Sequence, residues 1–129
     1  MPDSTFHLYR LEDCMFLSDT YQRYEKVPKM DVLYLRAEGS WVDVVTVHKT
    51  YRISTHLGNI ATQLDGTIFR RISRSHIVNL HRIDVMHGNE LVIANQTLAM
   101  GRQYRSAVLT QLPLLRTRPL QANVPDNAL

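Results

Sequence analysis

Phe69-Arg70-Arg71-Ile72-Ser73-Arg74-Ser75-His76-Ile77-Val78-Asn79-Leu80-His81-Arg82-Ile83 carries four arginines, two histidines and no carboxylate, set among the apolar residues Phe69, Ile72, Ile77, Val78, Leu80 and Ile83. A merely solvated basic run lacks such anchors. A merely structural strand pair intersperses acids with its bases. The two apolar segments, Phe69 to Ile72 and Ile77 to Leu80, read as short strands, and Ser73-Arg74-Ser75-His76 as the loop between them. So anchored, Arg71, Ser73, Arg74, Ser75 and His76 are presented rigidly to a partner that is negatively charged and rich in hydrogen-bond acceptors, a description that nucleic acid fits.

Outward from this stretch the pattern is of short strands. Met15 to Val27 reads as a hairpin around the turn-prone Ser18-Asp19-Thr20, closed by Pro28. Val32-Leu33-Tyr34-Leu35 is a strand, broken by a turn or bulge over Arg36-Ala37-Glu38-Gly39-Ser40. Trp41 to Val47 is the clearest strand, because β-branched and aromatic residues dominate it, and Tyr51 to Ser54 returns beside it after His48-Lys49-Thr50. Leu57, Ile60, Ala61 and Leu64 then change to helical spacing, with Ser54 or Thr55 as the expected cap. After Ile83 come strands over Ile83 to Met86, Leu91 to Ile93 and Thr97 to Met100, with turns at His87-Gly88-Asn89 and Ala94-Asn95-Gln96. Gly101 opens a last helix with Tyr104, Val108, Leu109 and Leu112 facing inward, and Pro113 stops it. The fold expected is mainly β, an elongated arrangement of short antiparallel sheets with one or two small helices. The crossover helices of parallel βαβ units are missing.

The 129 residues fit one domain plus short ends, expected as an N-terminal arm over 1–14, a folded domain over 15–112 and a flexible tail over 113–129. The start of the chain lacks the basic and apolar regions of a signal peptide, and no run is long enough to cross a bilayer, so a cytoplasmic protein without membrane contact is expected. The lone Cys14 excludes an internal disulfide and a thiolate zinc cage, and reads as a small half-buried apolar residue. The net charge of +3 is unevenly placed. Asp3, Glu12, Asp13, Asp19, Glu25 and Asp31 outnumber the bases up to residue 31, whereas Arg70, Arg71, Arg74, Arg82, Arg102 and Arg105 face only Asp84 and Glu90 between residues 70 and 105. Such an asymmetry makes a local attractive field for a polyanion.

No Gly-x-Ser-x-Gly elbow, phosphate-cradling Gly-x-x-x-x-Gly-Lys loop or His-Glu-x-x-His helix occurs, so the pattern is not that of an enzyme. His76, His81 and His87 have no metal-site spacing, and neither metal nor cofactor is expected. Arginine dominates over lysine in the basic half. Its planar fork bridges two acceptors on one phosphate or on the N7 and O6 edge of guanine. Taken singly, Arg70, Arg71 and Arg82 are equally readable as solvated charges on an exposed strand, whereas Arg74, between Ser73 and Ser75 in the loop, reads as a partner contact. Asn79 reads as a buried or edge amide tying the loop's backbone in place, or else as a direct ligand contact. Trp41 is readable either as core or as a loop-tip contact.

Arg36-Ala37-Glu38-Gly39-Ser40-Trp41-Val42, the segment Phe69 to Leu80, and Gly101-Arg102-Gln103-Tyr104-Arg105, in that order and spacing, resemble the LytTR-type DNA-binding domain of bacterial transcriptional regulators. The resemblance covers roughly Met15 to Leu112. It implies loops, not a recognition helix, inserted into successive major grooves of double-stranded DNA, and pairs of direct-repeat half-sites. A homodimer on those repeats and a sensor or regulatory protein are the further partners expected. Three contact loops follow from it: Gly39 to Val42 with Ser40 and Trp41, Ser73 to His76, and Gly101 to Arg105. Arg74 and Arg102 match base-contacting positions, and Ser75, Gln103 and Arg105 match phosphate-contacting ones. The family usually has Asn-Tyr at Ser40-Trp41, His at Ser73, an aromatic at His76 and Ser at Gly101. No receiver domain fits before residue 15, so a stand-alone regulator is expected. The alternative from another class is a non-catalytic protein-interaction module whose basic face docks an acidic or sensor partner. A catalytic or RNA-binding β-domain is a weaker rival, since the basic half has few aromatics for stacking on single strands.

Overall fold

In the computed structural model, residues 10–20 and 22–115 are described. Most of the expected N-terminal arm and all of the tail after residue 115 lie outside them. The central sheet has five antiparallel strands in the order β5-β4-β3-β7-β6: β3 (Val32–Glu38), β4 (Trp41–Thr46), β5 (Thr50–Ser54), β6 (Phe69–Arg71) and β7 (His76–Asn79). A hairpin of β1 (Cys14–Thr20) and β2 (Arg23–Pro28) precedes it. A three-stranded sheet, β10-β9-β8, follows, built from β8 (Val85–His87), β9 (Glu90–Ile93) and β10 (Gln96–Ala99). Two α-helices, α1 (Leu57–Ala61) and α2 (Arg102–Gln111), and three single 3-10 turns at Leu11–Asp13, Lys29–Asp31 and Leu80–Arg82 complete the described elements. The mainly β, antiparallel architecture expected from the sequence is the one found.

Each face of the central sheet has its own core. On one face Leu35, Val42, Val44, Tyr51, Phe69 and Ile77 pack with Leu17 and Val27 of the β1–β2 hairpin and Leu57 of α1. On the other, Tyr34, Ile72 and Val78 pack with Leu91, Ile93, Leu98, Met100 and Val108 of the small sheet and α2. This explains the unbroken apolar run Val32-Leu33-Tyr34-Leu35. A strand covered on both faces cannot alternate apolar with polar. A register irregularity between Val32 and Tyr34 sends Val32 and Leu35 to one core and Leu33 and Tyr34 to the other. Burying these side chains stabilises the fold by about 1.5–3 kcal/mol each before chain entropy is counted.

Several boundaries differ from expectation for identifiable reasons. β1 runs on through Ser18-Asp19-Thr20 with a register shift, and the chain reverses between Thr20 and Arg23, where Gln22 has φ 59°. β3 continues through Arg36-Ala37-Glu38, because these residues pair with β4, and the turn is left to Gly39 and Ser40, with Gly39 at φ 61°. Neither Ser54 nor Thr55 caps α1. His56 precedes it, without a capping side-chain bond, and the Thr55 hydroxyl instead accepts from Asn59 Nδ2 at 3.0 Å. The turn between β9 and β10 uses Ala94 and Asn95 with φ 48° and 67°, the backbone of a two-residue hairpin turn, and the Ala94 N–H donates to Asp84 Oδ2 at 3.1 Å. Cys14 is buried, more deeply than the half-buried position expected. Among the described residues, no helix is long and apolar enough to cross a membrane.

Candidate nucleic-acid interface

The four arginines of the central stretch have four different environments. Arg70 donates from Nε to Gln111 Oε1 at the end of α2, whose Nε2 in turn reaches the Gly66 carbonyl at 3.0 Å. Arg82 donates from Nε to the Met30 carbonyl at 2.7 Å, with Asp31 at 3.8 Å from Nη2, so it staples the turn before β3. Arg71 turns along its own loop: Nε donates to the Ser73 carbonyl at 3.0 Å and Nη2 to the Arg74 carbonyl at 2.7 Å. Its place is therefore that of a brace behind the loop, and the expected presentation of Arg71 itself to a partner gives way to a supporting position. Arg74 alone projects. Its side chain is exposed, and among the described residues no hydrogen bond or ion pair holds its guanidinium.

The frame around Arg74 is closed from several sides. The fully buried Ile72 donates its N–H to the His76 carbonyl at 3.0 Å, pinching the loop at its root. The Ser75 N–H donates to Ser73 Oγ at 3.2 Å, and the Ala37 N–H of β3 to the Ser75 carbonyl at 2.8 Å. His76 is half-buried, with Nδ1 3.1 Å from Ser75 Oγ and its ring 5.9 Å from that of Tyr34. Burial, followed by the nearby Arg36 charge, pushes its pKa below the ordinary histidine value, so the imidazole is neutral at pH 7. Asn79 is wholly buried, as one of the two sequence readings had it. Its Nδ2 reaches the carbonyls of Val32 at 2.9 Å and Lys29 at 3.3 Å, and its Oδ1 accepts the His81 N–H at 2.9 Å. The backbone it ties is the turn before β3, not the arginine loop.

The other two predicted segments lie at the same end of the sheet. Register pairs Arg36 with His76 and Glu38 with Trp41, so the Gly39–Ser40 turn extends past the sheet beside the arginine loop. Ser40 is exposed, and Trp41 is 44% exposed on a strand, which places it at the tip and outside the core. The Gly101 N–H donates to the Ile72 carbonyl at 2.6 Å, joining the third segment to the root of the second. A Cβ at Gly101 would lie 3.0 Å from the Tyr104 ring, tighter than ordinary contact, so glycine suits this junction for space. Arg102 to Arg105 form the first turn of α2, with Gly101 as its N-cap. Arg102 and Gln103 are exposed, while Arg105 is half-buried and donates from Nε to the Gly88 carbonyl at 3.2 Å. That turn contains no acidic residue and its cap makes no side-chain bond, an arrangement receptive to anions.

A feature invisible in the linear sequence lies just behind the tips. Asp43 is buried with 3% exposure, and its Oδ1 accepts from Arg52 Nε at 2.8 Å while Oδ2 accepts from Arg52 Nη2 and Arg36 Nη2, each at 3.1 Å. The two guanidiniums, Arg52 first, hold the carboxyl below its ordinary pKa against the opposing effect of burial. Glu38 Oε2 lies 3.1 Å from Arg36 Nε, a charge contact out of line for a hydrogen bond. Sequence reasoning missed this trio. Residues nine apart meet only when strand register is known, although alternation along Trp41 to Thr46 does mark Asp43 as sharing a face with Trp41. Among the described residues no group of three or more His, Cys, Asp or Glu is placed to hold a metal.

The model of the family described as the LytTr DNA-binding domain matches residues 22–112. Two curated relatives from Paraburkholderia xenovorans (strain LB400), the heme-containing CO-sensing transcriptional regulators RcoM 2 and RcoM 1, are 28% and 29% identical over 91 residues. Each alignment covers 70% of this chain, and the chain spans about a third of the relatives' length, 32%. Among solved structures, the LytTr DNA-binding domain of a protein described as a methyl-accepting/DNA response regulator from Bacillus cereus superposes with TM-score 0.67 at 23% identity, covering 79% of this chain and 98% of that one.

Proposed function

Since this chain belongs to the LytTr DNA-binding domain family, we propose that it regulates transcription by inserting Gly39 to Val42, Ser73 to His76 and Gly101 to Arg105 into successive major grooves of double-stranded DNA. One observation carries the reading. The second segment is tied to β3 beside the first and to the start of the third by the Ala37–Ser75 and Gly101–Ile72 backbone bonds, while Arg74 and Arg102 remain exposed. In this reading Arg74 and Arg102 read base edges, where a guanidinium bridges the two acceptors of guanine. Ser75, Gln103 and Arg105 contact phosphates, and Ser40, Trp41, Ser73 and His76 line the approach. The contacts recur on paired half-sites in direct repeat, with two copies of the chain side by side.

Residues 10–115 contain every group the reading uses, so this domain is proposed to select DNA without a further module. Selection from a random duplex library at moderate salt tests it. The expected result is an enriched direct repeat, each half recognised alike. Salt-sensitive attraction with no enriched sequence would overturn the reading and favour the basic face as a docking surface for an acidic protein.

A further inference from the structure

The register of the central sheet lines up Arg52, Asp43, Arg36 and His76 in one row across β5, β4, β3 and β7. The row lies on the face and at the end that carry Trp41, directly behind the three tips. Glu38 reaches Arg36, and Asp43 is shared between Arg36 and Arg52, so the two cations and two anions balance, with Arg52 the outermost cation of the row. Asp43 engages Nε and Nη2 of Arg52 and not Nη1, and 55% of the Arg52 side chain is exposed. A long, flexible side chain is thus fixed in one direction by a buried carboxylate with a donor face still open.

Three strand spacings separate Arg52 from His76, about 14 Å. The major groove is about 12 Å wide. With Ser73 to His76 in the groove and the strand row set across it, this spacing would carry Arg52 past the base edges to the phosphates that bound the groove.

We propose that Arg52 is a further phosphate-contacting residue of this domain, and that Asp43 is the positioning residue that aims it. The inference rests on the DNA-binding reading above. It assigns an interface role to β5, which lies outside the three contact segments. Arg52 here adds affinity and fixes the angle at which the tips enter, without reading sequence.

The test uses the full chain and its selected duplex. Arg52→Ala and Arg52→Gln are compared with the wild type by gel-shift titration between 50 and 200 mM salt, with thermal unfolding as the folding control. Arg52→Gln keeps a donor for Asp43 without the charge. Both variants are expected to lower the salt slope by about 0.9, so that they lose about 3.5-fold less affinity than the wild type over that interval. The preferred sequence stays the same. A scan with single methylphosphonates should find one phosphate whose neutralisation weakens the wild type and leaves both variants unaffected. A wild-type slope and scan profile in both variants would overturn the assignment, whether or not their thermal stability falls. A wild type that selects no duplex would overturn the underlying DNA reading instead, and the two failures are distinguishable.

Discussion

Replacing Arg71 by alanine separates a brace from a DNA contact. The substitution removes the two charged hydrogen bonds to the Ser73 and Arg74 carbonyls. Such bonds contribute about 1.5–3 kcal/mol each, but Arg71 is only half-buried and both carbonyls can turn to water, so the stability loss should be nearer 1–2 kcal/mol in total. The larger effect falls on binding. Residues 73 and 74 regain backbone freedom in the free protein, and fixing a residue again costs about 1–2 kcal/mol. With the other loop bonds still in place, a loss of about 2 kcal/mol in specific affinity is expected, roughly 30-fold in Kd. Because the guanidinium faces its own loop, no phosphate contact disappears and the salt slope should be unchanged. Arg71→Lys should behave similarly, since one ammonium does not reproduce the planar fork across two carbonyls. Gel-shift titration at several salt concentrations, with urea unfolding in parallel, measures both quantities. A slope reduced by about 0.9 with equal weakening on all duplexes would show that Arg71 touches phosphate, and the bracing argument would be wrong.

Asn79→Ala should cost about 2–4 kcal/mol in urea unfolding, because it strands the buried Val32 carbonyl and the His81 N–H; a change under 1 kcal/mol would mean that water replaces the amide. Sequence preference should survive wherever the variant remains folded. The acid limb of stability should depend on Glu25, whose carboxyl is lowered to about 2 by the Tyr51 hydroxyl first, then by Arg23 and Lys49. A folded-state pKa below the unfolded one gives stability that is present above about 4.5 and disappears as pH falls through about 2. Tyr51→Phe removes the largest cause, so urea midpoints measured from pH 6 to pH 2 should fall less steeply in this variant; identical slopes would refute the assignment.

Strand β4 was legible because Val42, Val44 and their neighbours carry a strong β pattern, and the loop after Ile72 because apolar anchors bracket it, although it ends at Ser75, since His76 pairs with Arg36 as the first residue of β7. Gly101 was legible as the start of a helix. Arg74 was set apart by its place in the loop, but the separate positions of Arg70, Arg71 and Arg82 were not legible. Arg70 and Arg82 bind acceptors distant in sequence, a side-chain amide on α2 and the carbonyl before β3, and Arg71 binds two loop carbonyls whose direction the fold of the loop decides. For the same reason Asn79 could be recognised as a tie but was matched to the wrong backbone, the arginine loop instead of the turn before β3. The end of β1 was misread because Ser18-Asp19-Thr20 has turn composition but is absorbed as a strand irregularity, the cross-strand partners prevailing over local propensity. The Arg36–Asp43–Arg52 row had no linear signal, because register alone brings it together.

The claim that Arg74 reads a base can be met most directly by titrating the wild type and Arg74→Ala against the selected duplex and every single-base-pair variant of one half-site. The wild type should discriminate at one position by about 1–3 kcal/mol, and Arg74→Ala should lose that discrimination there while keeping its preferences elsewhere and its unfolding midpoint. An Arg74→Ala protein that retains the full wild-type pattern of preferences would contradict the account.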